Sequence, residues 1–334
     1  MYNLYQSKLR IDINQKIYKK PSFFIDIFWK KYFGLIKTKK IGPLKFQRYQ
    51  IMWIELPDDK EYVKSEIQKL KTKYSKNKSN ILFQLWFINE IIRFENVGRR
   101  SDDFNNDIAC IRLNIRDFIC SEFDLKLSFR ENMPQSNIIY HIWNKTDQEI
   151  LDQMNSGCKN RVKRAMKEWI YFGIASPDRY DLFYEKWLET VWNKWVNIIP
   201  KETYYRLLRY LTQNNRWNLF ISQINWEIVS GSIGLYDEHR IIYLYGFASR
   251  KFGNIGWHHY LKFKLFGRAR ENGFTYCDML WGAPTWFPEH PLASVSAFKE
   301  SLGGMKIEQY GSYDIILNWF LYKLFRFYTN LRNK

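Results

Sequence analysis

The segment Lys159-Asn160-Arg161-Val162-Lys163-Arg164-Ala165-Met166-Lys167 gathers cations where a helix would carry them. At helical spacing Arg161, Arg164 and Lys167 fall near one line. Such a row suits a phosphate-rich ligand, and it equally suits a solvated helix surface. Lys299 is a second candidate. It follows Phe298 in Ser296-Ala297-Phe298-Lys299-Glu300-Ser301-Leu302-Gly303-Gly304, soon after the loop Trp281-Gly282-Ala283-Pro284 leaves an apolar strand. Ligands gather at strand-end loops in α/β folds, and an ammonium there can stabilise negative charge developing on a reacting carbonyl. The plainer reading of the same residues is an exposed helix lysine beside a core phenylalanine. His258 and His259 would suit proton transfer, but no carboxylate partner is visible, so ordinary helix residues are expected. No Ser-His-Asp arrangement or nucleophile elbow occurs.

Two further signals are negative. Cys110, Cys120, Cys158 and Cys277 form no CxxC pair and have no histidine at ligand spacing, so neither a metal site nor a disulfide framework is expected. Arg250-Lys251-Phe252-Gly253-Asn254-Ile255-Gly256 partly matches the Q/R-x-x-G-x-G/A loop that grips coenzyme A pyrophosphate through backbone N–H groups. A branched Ile255 stands where that loop needs a small residue, which counts against acyl-coenzyme A.

The elements that must position these residues follow from pattern. The chain has 334 residues, 46% hydrophobic and 19% aromatic, enough for two ordinary domains. Its net charge of +18 draws polyanions, whether nucleic acid, nucleotide phosphates or an anionic membrane face; a general drift toward lysine would produce the same number. No stretch reaches the ~20 apolar residues of a spanning helix. Met1 to Lys20 lacks the apolar core of a signal peptide, so a cytoplasmic protein with reduced thiols is expected.

Strands are expected at Leu44–Leu56, Ile81–Phe87 and Ile108–Leu113, and a helix at Asp58–Ser75 capped by Asp58 or Asp59. Helices are expected at Gln148–Asn155 and Lys159–Phe172. Asn218–Trp226, Ile228–Leu235 and Ile241–Phe247 read as an antiparallel meander. A helix at Gly256–Asn272, a strand at Tyr276–Leu280, a helix at Ala293–Leu302 and a strand at Lys306–Leu317 complete that half. Leu317, Leu321, Leu324, Phe327, Tyr328 and Leu331 form a helical stripe beside Lys323, Arg326 and Arg332. That stripe suits a core-docking helix, or one lying on an anionic bilayer. Three strands, helix, strand, helix, strand is the element order of an acyltransferase domain of the GNAT type.

Phe298-Lys299, Gly303-Gly304 and Tyr310-Gly311-Ser312-Tyr313-Asp314 resemble the closing motifs of the Fem family of peptidoglycan bridge-forming aminoacyltransferases, F-K-x-x-F/L-G-G and Y-x-G-x-Y/W-D. Met154 to Ile174 resembles its basic block through Arg161, Arg164, Ala165, Lys167, Gly173 and Ile174. Tyr243-Leu244-Tyr245-Gly246-Phe247-Ala248-Ser249 resembles its Y-x-Y-G-A-S strand. Tyr260 to Trp281 resembles its Y-x-L-x-W helix and the strand after it, through Gly273, Tyr276 and Asp278. The likeness runs from about residue 135 onward.

It implies an α/β (α+β) fold of two GNAT-like acyltransferase domains, 1–146 plus 318–334 and 147–317, with the last segment returning to the first domain. The short form without a coiled-coil arm is implied, because Trp187 to Asn218 leaves no room for one. The implied reaction moves an amino acid from aminoacyl-tRNA to the stem peptide or bridge of a UDP-linked or lipid-linked peptidoglycan precursor, without cofactor or metal. Lys299 is then the catalytic residue, and Phe298, Tyr260, Lys194, Tyr204, Asn114, Lys31, Arg161 and Arg164 bind substrate. Two positions depart from the family. The arginine after its W-x-x-T block is Asn193 or Lys194, which loses the bidentate fork, and an aspartate in its first domain is Asn114. A GNAT-type N-acyltransferase using acyl-coenzyme A and a non-enzymatic RNA- or membrane-binding protein are the alternatives.

Overall fold

The computed structural model describes residues 11–95, 102–128, 136–168, 170–191, 199–237, 239–249, 256–285, 289–290 and 292–332. The chain divides into two compact units: Met1–Ile92, Asp102–Gln135 and Glu308–Lys334 form one, Arg93–Ser101 and Ser136–Ile307 the other. Both are mixed α/β with mostly antiparallel pairing. No helix among the described residues is long and apolar enough to cross a membrane.

In the first unit β1 (Ser22–Ile27), β2 (Lys30–Ile41) and β3 (Leu44–Ile54) pair antiparallel, and β4 (Asn80–Glu95) lies parallel to β3. The parallel pairing needs a crossover, supplied by α1 (Lys60–Tyr74). Asp59 caps α1 by accepting the Tyr62 N–H at 3.0 Å, and Val63, Ile67 and Leu70 turn one face inward. Beside it runs α2 (Asp102–Phe123), tied to α1 by Lys64 and Glu122 at 2.7 Å. The strand expected at Ile108–Leu113 is therefore helix. Ile115, Ile119 and Phe123 recur every fourth residue and bury against the core, a period that overrides the short branched window.

The segment after Glu308 returns to this unit. β12 (Met305–Ile316) pairs with β4 and with the short β5 (Lys126–Leu127), and α9 (Trp319–Arg332) lays Tyr322 and Phe325 on Phe46, Ile81 and Leu82. A buried polar line crosses these elements. Gln50 donates to Gln84, Gln84 to Ser128 at 2.9 Å, Ser128 to Asp314, and Tyr322 to Asp314 at 3.4 Å. Burial pushes the Asp314 carboxyl up to about 7, against the pull of the Ser128 hydroxyl and Arg48.

In the second unit the sheet order is β6 (Ser136–His141), β11 (Tyr276–Gly282), β10 (Arg240–Ala248), β9 (Glu227–Asp237), β8 (Trp217–Ile224) and β7 (Tyr171–Ile174). Only β10 and β11 run parallel, and α7 (Trp257–Glu271) crosses between them. This helix buries Trp257, Leu261, Phe263, Leu265, Phe266 and Ala269, nearly its whole circumference, as a central helix does. α3 (Asp147–Asp152) and α4 (Ser156–Lys167) pack against it; α5 (Tyr180–Val191) lies on the other face of the sheet, where Phe183 meets Gly231 and Phe247, and α6 (Lys201–Gln213) and α8 (Ala293–Ser301) complete the unit. The expected basic helix stops at Lys167 rather than Phe172: Tyr171–Ile174 pairs with β8 as an edge strand.

Two glycines are fixed by close approach. Gly256, at φ +93, lets α7 begin against α4, where a Cβ would sit 2.7 Å from the Arg161 Cβ. Gly303, at φ +90, ends α8 against the Gln153 carbonyl oxygen, 2.2 Å from where its Cβ would be.

Candidate active site

Strands β10 and β11 stay paired through only three steps, Arg240 to Tyr276, Ile241 to Cys277 and Ile242 to Asp278. Beyond that they part. β10 bulges between Tyr243 and Tyr245 while keeping to β9, and β11 shifts register between Asp278 and Trp281 while keeping to β6. Leu280, at φ +55, sits in the left-handed region at the shift. A parting of this kind leaves backbone polar groups of β11 without a strand partner, and something else must satisfy them.

Lys299 does so. From the last turn of α8 its Nζ donates to the Met279 and Trp281 carbonyl oxygens, both at 2.6 Å. Among the described residues the third N–H has no acceptor. The same helix is held from both sides: the Ala283 N–H donates to Ser296 Oγ, and Tyr140 Oη donates to the Lys299 carbonyl. Burial lowers the Lys299 pKa to about 8, while the Asp278 carboxylate raises it. At neutral pH the side chain is thus a buried ammonium, fixed by two carbonyls, with one donor to spare. That is the equipment of an oxyanion stabiliser.

The charges beneath it are paired. Asp278 is fully buried, accepts from Arg240 Nη1 at 3.1 Å and from the Leu280 N–H at 2.8 Å, and Arg240 also meets Asp237 at 3.3 Å. Burial still raises the Asp278 pKa, opposed first by Arg240. A second buried lysine lies close by. Lys262, on α7, has no exposed surface; its Nζ donates to Ser232 Oγ at 2.9 Å and sits 2.9 Å from the Tyr243 ring centroid. Burial drives its pKa well below the ordinary lysine value, and the charge on Lys299 lowers it further.

The start of α7 completes the wall. Phe298 lies against His258 and His259, with ring centroids 4.9 and 5.0 Å away, and Tyr243 Oη is 3.5 Å from His258 Nε2. Burial, then the nearby Arg161 charge, lower the His259 pKa to about 4, so it is neutral at pH 7 and its Nε2 accepts from Arg161 Nη1 at 3.4 Å. His259 is therefore no general acid or base near neutrality. Tyr260, the next residue, is half-buried.

The fold brings Lys299, Phe298, the start of α7 with Tyr260, and Arg161 into one neighbourhood. Arg164 is exposed on the outer face of α4. Lys31, exposed on β2, and Asn114, exposed on α2, belong to the other unit. Tyr204 needs correcting. It is fully buried between Tyr184 and Tyr205 with its hydroxyl 3.3 Å from the Tyr180 carbonyl, so it packs α6 onto α5 and offers nothing to a ligand. Lys194, Asn193 and the segment Arg250–Ile255 lie outside the described residues.

Lys262 and Arg240 were not singled out from sequence, and Tyr243 and Asp278 entered only as motif positions with no role assigned. For Lys262 the signal was present: a cation between Leu261 and Phe263 on a helix buried all round has no polar face to occupy.

Residues 157–287 match the model of an acetyltransferase (GNAT) domain, so the second unit carries an acyltransferase-type domain. No curated protein matches the chain by sequence. Among solved structures the chain is similar to FemX, with a TM-score of 0.66 at 16% identity over 97% of this chain and 94% of that one. It is also similar to a conserved protein of unknown function from Bacteroides thetaiotaomicron, with a TM-score of 0.51 at 13% identity over 94% and 91%. A third likeness is to the C-terminal domain of an Agrobacterium fabrum protein assigned as lysylphosphatidylglycerol synthetase, TM-score 0.51, 10% identity, 95% of each chain. At these identities the likeness is one of fold. The two-domain, GNAT-like fold of the Fem type that the motifs implied is the fold observed.

Proposed function

We propose that this protein is an aminoacyltransferase that moves an amino acid from aminoacyl-tRNA onto an amino group of a peptidoglycan precursor in the cytoplasm. The observation that carries the reading is Lys299: a buried ammonium spanning two carbonyls at the parting of β10 and β11, in a chain that follows the FemX fold along nearly its whole length. The amine of the acceptor attacks the ester carbonyl, the new C–N bond forms, the ester C–O bond breaks, and the ribose oxygen leaves with a proton. The ester is already activated, so positioning and charge stabilisation suffice. Lys299 meets the oxyanion; Phe298 and Tyr260 border the reacting groups; Arg161 and Arg164 take phosphates of the tRNA end or the precursor. Lys31, Asn114 and Lys194 are assigned to the precursor.

A transfer assay with mixed charged tRNAs and both soluble and lipid-linked precursors tests this. Amino acid appearing in either precursor is the expected result, and transfer to neither would sink the reading. The match to an acetyltransferase model supports one other reading, an N-acyltransferase using acyl-coenzyme A. A coenzyme A-dependent rise in melting temperature, absent with aminoacyl-tRNA, would favour it.

A further inference from the structure

Helix α9 has two apolar faces, and among the described residues only one of them has a partner. Tyr322, Phe325 and Thr329 are buried against the sheet of the first unit. At 3.6 residues per turn, Phe320, Phe327 and Leu331 fall on one line on the opposite side. They are 74%, 63% and 59% exposed, and Trp319 at the start of the helix is 53% exposed. A docked helix normally turns charge toward water on that side. A row of three large apolar side chains facing out, with an exposed Trp319 beside it, marks a surface that something covers.

The charges around the row say what. Lys323 and Arg326 are exposed on the same helix, with Lys323 Nζ 5.6 Å from the Trp319 ring centroid. From β2, Lys39 reaches over the Tyr328 ring at 4.5 Å, and Lys40 and Lys45 flank the exposed β2–β3 turn. Neither Ile315–Lys334 nor Lys30–Ile54 contains a single Asp or Glu. A second copy of the chain would bring these cations against themselves. A nucleic acid would be served by the cations, but not by Phe327 and Leu331 standing in the open. An apolar ridge bordered by cations fits an anionic lipid surface, where the ridge enters the acyl boundary and the cations stay among the headgroups.

We propose that α9 is a docking surface for an anionic lipid bilayer, lying in the plane of the interface with Phe320, Phe327 and Leu331 inserted and Lys323, Arg326 and Lys39 in the headgroup layer. The inference stands apart from the transfer reaction. It uses only the first unit and assigns a face, not an active site.

Flotation of the full chain with phosphatidylcholine vesicles, with and without phosphatidylglycerol, tests it. The chain should float with the anionic vesicles and only weakly with neutral ones. Phe320→Ser with Phe327→Ser should weaken that binding by ~tenfold or more while the melting temperature stays put, since both side chains are exposed. Lys323→Glu with Arg326→Glu should remove the preference for phosphatidylglycerol. Absence of flotation, or equal flotation of the serine variant, would overturn the proposal. So would a concentration-dependent dimer in light scattering that the serine variant abolishes, because the ridge would then belong to a second copy. Loss of tRNA binding in the serine variant with vesicle binding intact would overturn it in favour of RNA.

Discussion

Each unit buries an aspartate on a strand, and the two are held differently. Asp278 in the second unit faces a guanidinium: Arg240 lies 3.1 Å away, and the Leu280 N–H donates as well. Asp314 in the first unit faces hydroxyls, from Ser128 and Tyr322, with Arg48 acting at longer range. The first arrangement pairs a buried carboxylate where β10 and β11 part, and it places that charge where Lys299 feels it. The second leaves the carboxyl near neutrality and uses it as a polar rivet between β12 and α9. Burial raises both carboxyls, but one is held by a guanidinium and a backbone N–H beside Lys299, the other by two hydroxyls between β12 and α9.

The largest effect expected from breaking this contrast is in Arg240→Met. Removing one partner of a buried ion pair strands the other, at about 3–5 kcal/mol. Thermal melting should show a large loss, relieved in part when Asp278→Asn is added, since Asp237 loses the same partner. An unchanged melting temperature would mean that Asp278 is already protonated in the fold. Next comes Asp314. Its carboxyl is raised to about 7, against ~3.9 in an unfolded chain. Between those values the folded state binds the extra proton, so stability is full below about pH 4 and is lost as pH rises toward 7. Asp314→Asn should flatten that slope over the window. A slope that survives the substitution would assign it to another group.

Lys299→Met comes third, and it sharpens the role of the paired side. Loss of the ammonium should lower turnover in the transfer assay by ~10²-fold or more when rates are referred to folded protein. The substitution is not silent for stability. It strips the Met279 and Trp281 carbonyls of their partner, at about 1–3 kcal/mol for each group left unsatisfied. A fall in turnover that only tracks the folded fraction would make Lys299 a strut for the parted strand and nothing more.

How far these features were legible differs by element. The β8–β9–β10 meander and α7 were visible because their apolar runs are bounded by turns and glycines that mean the same in any context. The helix at Asp102–Phe123 was not, because Ile108–Leu113 viewed alone is branched and apolar, and only the longer Ile115, Ile119, Phe123 spacing gives it away. Lys299 was reachable through Phe298-Lys299, yet nothing in the sequence says that its nitrogen serves two strand carbonyls. That fact belongs to the register shift after Asp278, which depends on the β6 partner far along the chain. Tyr204 matched a substrate-binding expectation and is core, since a tyrosine on an amphipathic helix reads alike whether its ring faces Tyr184 or a ligand. On α9 the stripe traced from sequence took in Phe327 and Leu331, which face out, and left out Tyr322 and Phe325, which face in, because such a stripe does not say which side the sheet takes.

Lys262→Met should give the smallest effect, and it separates the two lysines of the second unit. Both are buried, but Lys299 has two carbonyl oxygens and Asp278 to support its charge, whereas Lys262 has one hydroxyl and the face of Tyr243. Burial lowers its pKa well below the ordinary value, opposed by Cys277 and aided by the charge on Lys299. A lysine whose folded pKa lies below its unfolded value holds fewer protons when folded, so stability rises with pH until the unfolded lysine titrates near ~10.4. Methionine has nearly the same length, no proton and no desolvation cost, so Lys262→Met should change stability at pH 7 by less than ~1.5 kcal/mol, in either direction. It should also reduce the rise in stability between neutral and alkaline pH. If Lys262 were a silent core residue, transfer would continue unchanged in the methionine variant. If Lys262 instead supports the reaction through its charge beside Lys299, the alkaline shape of the pH–rate profile should change while the melting temperature does not. Comparing melting curves and pH–rate profiles of Lys262→Met and Lys299→Met therefore tells which of the two buried amines touches the chemistry.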